Sequence, residues 1–270
     1  MQACNKVALL LTSILFLFVG ACSEASTQAG EKKLDSLSGK VIIGDTLPNP
    51  KYDPSIDLRN VGGAFSKKID DSLGIAIFEV TLQPGDSLPF HSHPDHTFYL
   101  LDSSTVVLQI PGQKKADTIP GFAPGFAFVN GPFTESIKNV GKTKFRWLAV
   151  DVHRPRQYEI PGVPAYDSTI DAFTVGGESI LKLSDTLGIK MFVVTMRPGD
   201  TAMMHSHPDH ATYVLEGGEV AVTFQGGRRR TINFTKGSAF VSGPVSDAAK
   251  NTGKTTVKLL MTHILRARAR

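Results

Sequence analysis

His205-Ser206-His207-Pro208-Asp209-His210 stands 114 residues after an identical hexapeptide, His91-Ser92-His93-Pro94-Asp95-His96. The surroundings repeat with it. Leu73-Gly74-Ile75 returns as Leu187-Gly188-Ile189, and Pro84-Gly85-Asp86 as Pro198-Gly199-Asp200, at the same offset of 114. Further on, Gly131-Pro132 returns as Gly243-Pro244, and Asn139 with Gly141 as Asn251 with Gly253, at an offset of 112. So long a period is that of two whole domains, not of a solenoid repeat.

Each copy has the local pattern of strands. Ile75-Ala76-Ile77-Phe78-Glu79-Val80-Thr81-Leu82 is β-branched and aromatic and ends at a Pro-Gly-Asp turn. Tyr213-Val214-Leu215, Glu216-Gly217-Gly218 and Val220-Ala221-Val222-Thr223-Phe224 together read as a hairpin. Thr255-Thr256-Val257-Lys258-Leu259-Leu260-Met261 reads as a closing strand. Twenty-five Gly and sixteen Pro suit a chain with many turns. The expectation is an all-β chain with an N-terminal domain at 46–155 and a C-terminal domain at 156–270. The Pro-rich segment 154–164 is the crossing between them.

The histidines carry the chemistry. Side chains alternate along a strand, so His91 and His93 share a face, as do His205 and His207. Two imidazoles on one surface can hold one cation, and the third histidine, after a Pro-Asp turn, can swing back to the same point. Neutral imidazole suits Zn, Cu, Fe and Ni. Six of the eight histidines lie in the two hexapeptides, which is not the scatter of histidines that merely satisfy a core. His153 and His263 do not align at the 112 offset and read as structural. Asp95 and Asp209, between the ligands, read either as acceptors that orient a ring or as turn formers.

These motifs resemble those of the cupin superfamily. Gly199, five residues and His205-Ser206-His207 match the first cupin motif, and Tyr213-Val214-Leu215-Glu216-Gly217-Gly218 matches the strand and turn that close it. The first copy matches with Gly85, His91, His93 and Tyr99-Leu100-Leu101, but Asp102-Ser103-Ser104 replaces the closing glycine. The resemblance spans about residues 60–265. It implies two tandem cupin-type (jelly-roll, double-stranded β-helix) barrels, each with one divalent transition metal (Fe, Mn, Ni, Cu or Zn). It assigns His91, His93, His96, His205, His207 and His210 as ligands. Two departures stand out. His96 and His210 occupy the place of the family's glutamate. Four residues before Asn139 and Asn251, where the family has a histidine, stand Glu135 and Asp247. A set of three histidines and one carboxylate is kept with two positions exchanged, so Glu135 and Asp247 are expected as fourth ligands or as catalytic acid/base groups. Met203, Met204, Tyr213 and Phe240 in one barrel, and Phe90, Phe98, Tyr99 and Phe128 in the other, are apolar candidates for the mouth, although most such residues fill cores. Phe90 and Met204 are expected to alternate away from the metal face.

The N-terminus reads as an export signal. Lys6 precedes an apolar run at residues 7–19, broken only by Thr12 and Ser13 and shorter than the ~20 residues that span a bilayer. It ends in Val19-Gly20-Ala21-Cys22, which resembles a bacterial lipobox. Residues 1–21 are therefore expected to be a lipoprotein signal peptide, Cys22 the lipidated residue, and 22–45 a polar tether. Cys4 and Cys22 are the only cysteines, so no disulfide framework supports the fold. The formal charge of +4 is too mild to argue for nucleic acid. Arg228-Arg229-Arg230 reads as a solvated hairpin tip, and Arg266, Arg268 and Arg270 as a frayed tail.

Three protein nitrogens leave coordination positions open, as catalytic metals require. The expected function is a metal-binding bicupin of the cell envelope, anchored in the membrane through Cys22 alone. It is expected to be an enzyme similar to the cupin dioxygenases, acting on a small organic substrate, with a homo-oligomer as a further possibility. A non-catalytic cupin that binds metal or a small molecule, and a cupin isomerase or lyase, are the alternatives.

Overall fold

The run from Ile75 to Leu82 has too few polar positions for a strand with one wet face, and the fold walls it on both sides. The computed structural model describes residues 52–159, 161–162 and 165–268; the signal segment, Cys22, the tether and Arg270 lie outside them. Among the described residues no helix is long and apolar enough to cross a membrane. The first half forms β1 (Ser66–Ser72), β2 (Ile75–Leu82), β3 (Ser87–His93), β4 (Asp95–Asp102), β5 (Val106–Gln109), β6 (Asp117–Ile119), β7 (Ala127–Asn130), β8 (Phe133–Asn139) and β9 (Phe145–Val152). The second forms β10 (Ile180–Thr186), β11 (Ile189–Met196), β12 (Thr201–His207), β13 (Asp209–Glu216), β14 (Gly218–Phe224), β15 (Arg229–Phe234), β16 (Ala239–Ser242), β17 (Val245–Asn251) and β18 (Val257–Ile264).

Each half is a pair of antiparallel sheets. The first has the orders β1-β2-β9-β4-β7 and β3-β8-β5-β6, and the second repeats them as β10-β11-β18-β13-β16 and β12-β17-β14-β15. Leu88, Val106 and Ile137 of the smaller first sheet meet Phe78, Leu100 and Trp147 of the larger in one core. The outer faces of the two larger sheets pack on each other, Ile75, Ile77, Val150 and Val152 against Ile189, Ala211 and Ile264. β2 thus serves two cores at once. The expected hairpin of 213–224 is corrected: β13 and β14 are consecutive but lie in different sheets, so Gly217 makes a corner, not a hairpin turn. A Cβ on Gly217 would stand 2.4 Å from the Phe234 carbonyl oxygen, which explains the glycine there.

The two halves are also tied by arginines. Arg154 and Arg266 are buried, and each guanidinium crosses to the other half. Arg154 reaches Asp209 at 2.9 Å and Arg266 reaches Asp95 at 2.6 Å. Arg156 and Arg268 close each pair from the same half, donating two hydrogen bonds apiece to Asp95 and Asp209. This corrects two expectations. Asp95 and Asp209 accept from arginines, not from imidazoles, because the two half-molecules bring four guanidinium groups to them. The tail is not frayed at Arg266 and Arg268, since Arg266 is only 2% exposed and Ala267 N–H donates to the Gln157 carbonyl.

Candidate metal centre

The His-Ser-His strands carry a defect that aims them. In the β3–β8 ladder Leu88 faces Ile137 while His91 faces Glu135, so three residues on one strand span two on the other; β12 and β17 repeat this at Ala202 and His205. Such a bulge re-aims side chains, and it places Leu88, His91 and His93 on the interior. The serine between the histidines points outward. Ser92 Oγ accepts from Asp53 N–H at 2.8 Å and Ser206 Oγ from Asp167 N–H at 2.9 Å. These bonds hold the short helices α1 (Leu58–Val61) and α2 (Ala172–Val175) against the ligand strands.

The same ladders put the carboxylates in place. Glu135 lies opposite His91, with Oε1 3.8 Å from its Nε2, and Asp247 lies opposite His205, with Oδ1 at 3.9 Å. His91, His93 and Glu135, and likewise His205, His207 and Asp247, hold their ligand atoms within 4.8 Å of one another. The His96 ring stacks on His93 at 4.7 Å between centroids, and His210 stands 5.1 Å from His207. Counting four residues back from the asparagines works because those asparagines are fixed. Asn139 is buried, donates to the Leu82 and Thr143 carbonyls, and accepts from Ser104 and from Gly141 N–H.

Hydrogen bonds set the tautomers. A carbonyl oxygen only accepts, so a ring nitrogen beside one must carry the proton. His91 Nδ1–H donates to Pro89 O and His96 Nδ1–H to Pro94 O, both at 2.9 Å. His205 Nδ1–H donates to Met203 O at 2.7 Å and His210 Nδ1–H to Pro208 O at 2.8 Å. Each Nε2 lone pair is left for the interior, and the buried His91 Nε2 has no hydrogen-bond partner. Burial favours the neutral ring at five of the six histidines, pushing His91 down to about 3 and His93, His96 and His210 to about 4, and lowering His207 well below the usual range. Burial also pushes Glu135 up to about 8 and raises Asp247. Two imidazoles and a carboxylate that hold their ligand atoms within 4.8 Å of one another, with a third imidazole beside them, fit a transition metal.

The middle histidines lean on different groups. His93 Nδ1 lies 2.9 Å from Asp151, whereas His207 Nδ1 lies 2.9 Å from His263 Nε2. Asp151 and His263 occupy one place in the fold, opposite His96 and His210. His263 is therefore part of the site's support and not merely structural. The two positions are 112 residues apart, but an aspartate in one copy answers a histidine in the other, so the sequence alone gives them no shared role. Asp57, Asp151 and His153 also lie close together. Asp57 is already engaged by Tyr52 and by Arg59 at 3.1 Å, and that guanidinium repels a cation.

A cavity of about 480 Å³ opens onto His205, His207, His210 and Asp247 in the second half, within the range of small-molecule sites. Met203 and Phe240, two of the apolar candidates, line it. Tyr213 does not, since its hydroxyl crosses to Glu79 of the other half. Met204 lines the rim in spite of its alternation because the bulge lies beside it.

No protein-family model and no curated protein matches the chain. Among solved structures it is similar to a salicylate 1,2-dioxygenase from Pseudaminobacter salicylatoxidans, at 12% identity over 78% of this chain and 79% of that one, with a TM-score of 0.50. The fold is a tandem cupin fold. Fainter likenesses are to an oxalate decarboxylase (16% identity, 76% of this chain and 73% of that one, TM-score 0.49) and to a cupin 2 conserved barrel domain protein from Leptotrichia buccalis (15%, 74% and 88%, 0.42). In this fold each barrel carries its histidine cluster between the two sheets, and the described cavity opens onto the second cluster.

Proposed function

We propose that this chain is a metal-dependent bicupin enzyme of the cell envelope, dioxygenase-like, acting on a small organic substrate. The observation that carries the reading is the set of inward Nε2 lone pairs, fixed by backbone acceptors on Nδ1, with a carboxyl group opposite the first histidine of each trio. His91, His93 and His96 would hold one divalent transition metal and His205, His207 and His210 another, with Glu135 and Asp247 as fourth ligands or proton carriers. A bound metal of this kind supplies Lewis acidity and, for Fe, one-electron chemistry with dioxygen. The protein's own part is to hold the imidazoles neutral, keep the site dry and place a carboxyl beside the reacting atoms. Asp247, raised by burial, is suited to hold and release a proton there. Lipid on Cys22, after removal of residues 1–21, would keep the barrels at a membrane surface.

The test is dioxygen uptake by the Fe(II)-loaded mature chain against a panel of small phenols, catechols and thiols. Uptake with at least one of them is expected, and its loss in His207→Ala. Turnover that survives removal of the metal would overturn the reading.

A further inference from the structure

The two barrels share a plan but not an interior. At matching inward positions the first barrel carries the larger residue again and again: Leu58 against Ala172, Phe65 against Ser179, Leu88 against Ala202, Phe98 against Thr212, Ile137 against Ala249 and Trp147 against Leu259. The smaller member of every one of these pairs lines the 480 Å³ cavity. Ser66 against Ile180, Ile110 against Phe224 and Ala149 against Met261 run the other way and do not refill it. In the first barrel the space is taken by rings. Phe98 stacks on Phe128 at 4.9 Å and on Trp147 at 6.1 Å, and Phe122 on Phe126 at 4.3 Å. That interior is one continuous core, whereas the second splits into Phe173, Phe192 and Met261 on one side and Val220, Val222 and Val257 on the other.

The charge of the cavity wall is as telling as its size. Among its described lining residues there is no Lys and no Arg; the ionisable groups are the three histidines and Asp247. The remainder is mainly aliphatic and aromatic, with Met203 at the rim 83% exposed. A charged group held against this wall away from the histidines would lose its water and meet no cation of the protein.

We infer that the second barrel alone admits the substrate, that the body of this substrate, away from any group that meets the metal, is uncharged and largely apolar, and that the ring-filled first barrel is closed to it. The inference rests on the functional reading above, which leaves open which barrel works and on what. It divides the labour between two sites whose ligand residues look alike. The first would hold its metal as a dry structural centre, and the second would present its metal to a pocket that selects by shape and hydrophobicity.

The test uses the mature chain with Cys22→Ser, Zn(II)-loaded and metal-free, and the neutral fluorescent probe N-phenyl-1-naphthylamine. One equivalent is expected to bind saturably. In the metal-free chain, naphthalene-2-carboxamide is expected to displace it at least tenfold better than naphthalene-2-carboxylate. Thr212→Phe and Ala249→Ile, each importing the first barrel's residue, should weaken probe binding at least tenfold while circular dichroism and Zn content stay unchanged. Two equivalents of probe, equal displacement by the carboxylate, or undiminished binding in the folded variants would overturn the inference. Stoichiometry and charge preference need no variant, so they decide the matter even if a substitution prevents folding. Probe bound without any Zn uptake would sink the metal reading and leave this one standing, and Zn bound with the probe excluded would do the reverse.

Discussion

At the scale of single residues, the site is decided by which nitrogen each imidazole is made to offer. Backbone acceptors settle this for four of the six rings, and the middle ring of each trio depends on a side chain. A carboxylate behind an imidazole raises its basicity as a ligand. Asp151→Asn should therefore weaken metal binding in the first barrel by about 10–100-fold with the fold intact, and His263→Ala should do the same in the second; competition with a chelating indicator reads both. The pH dependence of the metal-free protein follows from the same rings. His91, His93, His96 and His210 stay neutral in the fold down to about 3–4, while the unfolded chain takes up protons near 6.5. Below that point the unfolded state binds more protons and stability falls. Glu135 and Asp151, raised to about 8 and about 7, act in the opposite sense, since the fold keeps protons that the unfolded chain releases. The histidines outnumber them, so the urea midpoint should drop between pH 7 and pH 5, with a slope on the order of 1 kcal/mol per pH unit. Much of this was legible in the sequence. The hexapeptides point to the histidines, and counting back from Asn139 and Asn251 finds Glu135 and Asp247. Asp151 and His263 fall at one offset of 112, but an aspartate answering a histidine carries no common motif, and only the folded chain puts both behind the middle rings.

At the scale of elements, two local devices place the site, and they differ in legibility. The asparagine corner is readable because Asn-x-Gly recurs in both copies. Asn139 then meets four partners, two of them backbone carbonyls left by β2 and by the β8–β9 turn. Asn139→Ala would orphan several buried groups at once, at about 1–3 kcal/mol each. It should cost roughly 3 kcal/mol or more in urea unfolding, while Lys138→Ala beside it, exposed on the same strand, should cost little. The bulge before His91 and His205 is not readable. Strict alternation puts Leu88 and His91 on opposite faces, and only the pairing of three residues against two brings both inside. The corner at Gly217 misled for a related reason. A turn between two apolar runs looks the same whether the second run pairs with the first or crosses to another sheet.

At the scale of the whole molecule, the account rests on a duplicated unit that closes on itself about a pseudo-two-fold axis. Arg154 and Arg266 sit at that axis, each donating to the other's backbone carbonyl and pairing with the aspartate of the opposite barrel. Arg266→Met removes the crossing pair and orphans the Leu187 and Arg154 carbonyls, while Arg156 still pairs with Asp95, so the cost should stay below about 3–5 kcal/mol, that of a fully uncompensated buried charge. The thermal midpoint should fall in Arg266→Met, and adding Asp95→Asn should lower it further because Arg156 then loses its partner. The repeat itself is legible from spacing, and so is the return of Arg154-x-Arg156 as Arg266-x-Arg268 at the offset of 112; the closure they make is not, because spacing alone does not show that each guanidinium crosses to the other half. The asymmetry of the barrels was equally out of reach, since each small-for-large exchange is unremarkable until the ladders show that all face one interior. The most direct measurement is the metal content of the mature Cys22→Ser chain, purified without chelator or histidine tag, by elemental mass spectrometry. The account predicts close to two equivalents of a first-row transition metal per chain. No metal as isolated, and none taken up on titration with Fe(II), Mn(II), Ni(II), Cu(II) or Zn(II), would contradict it.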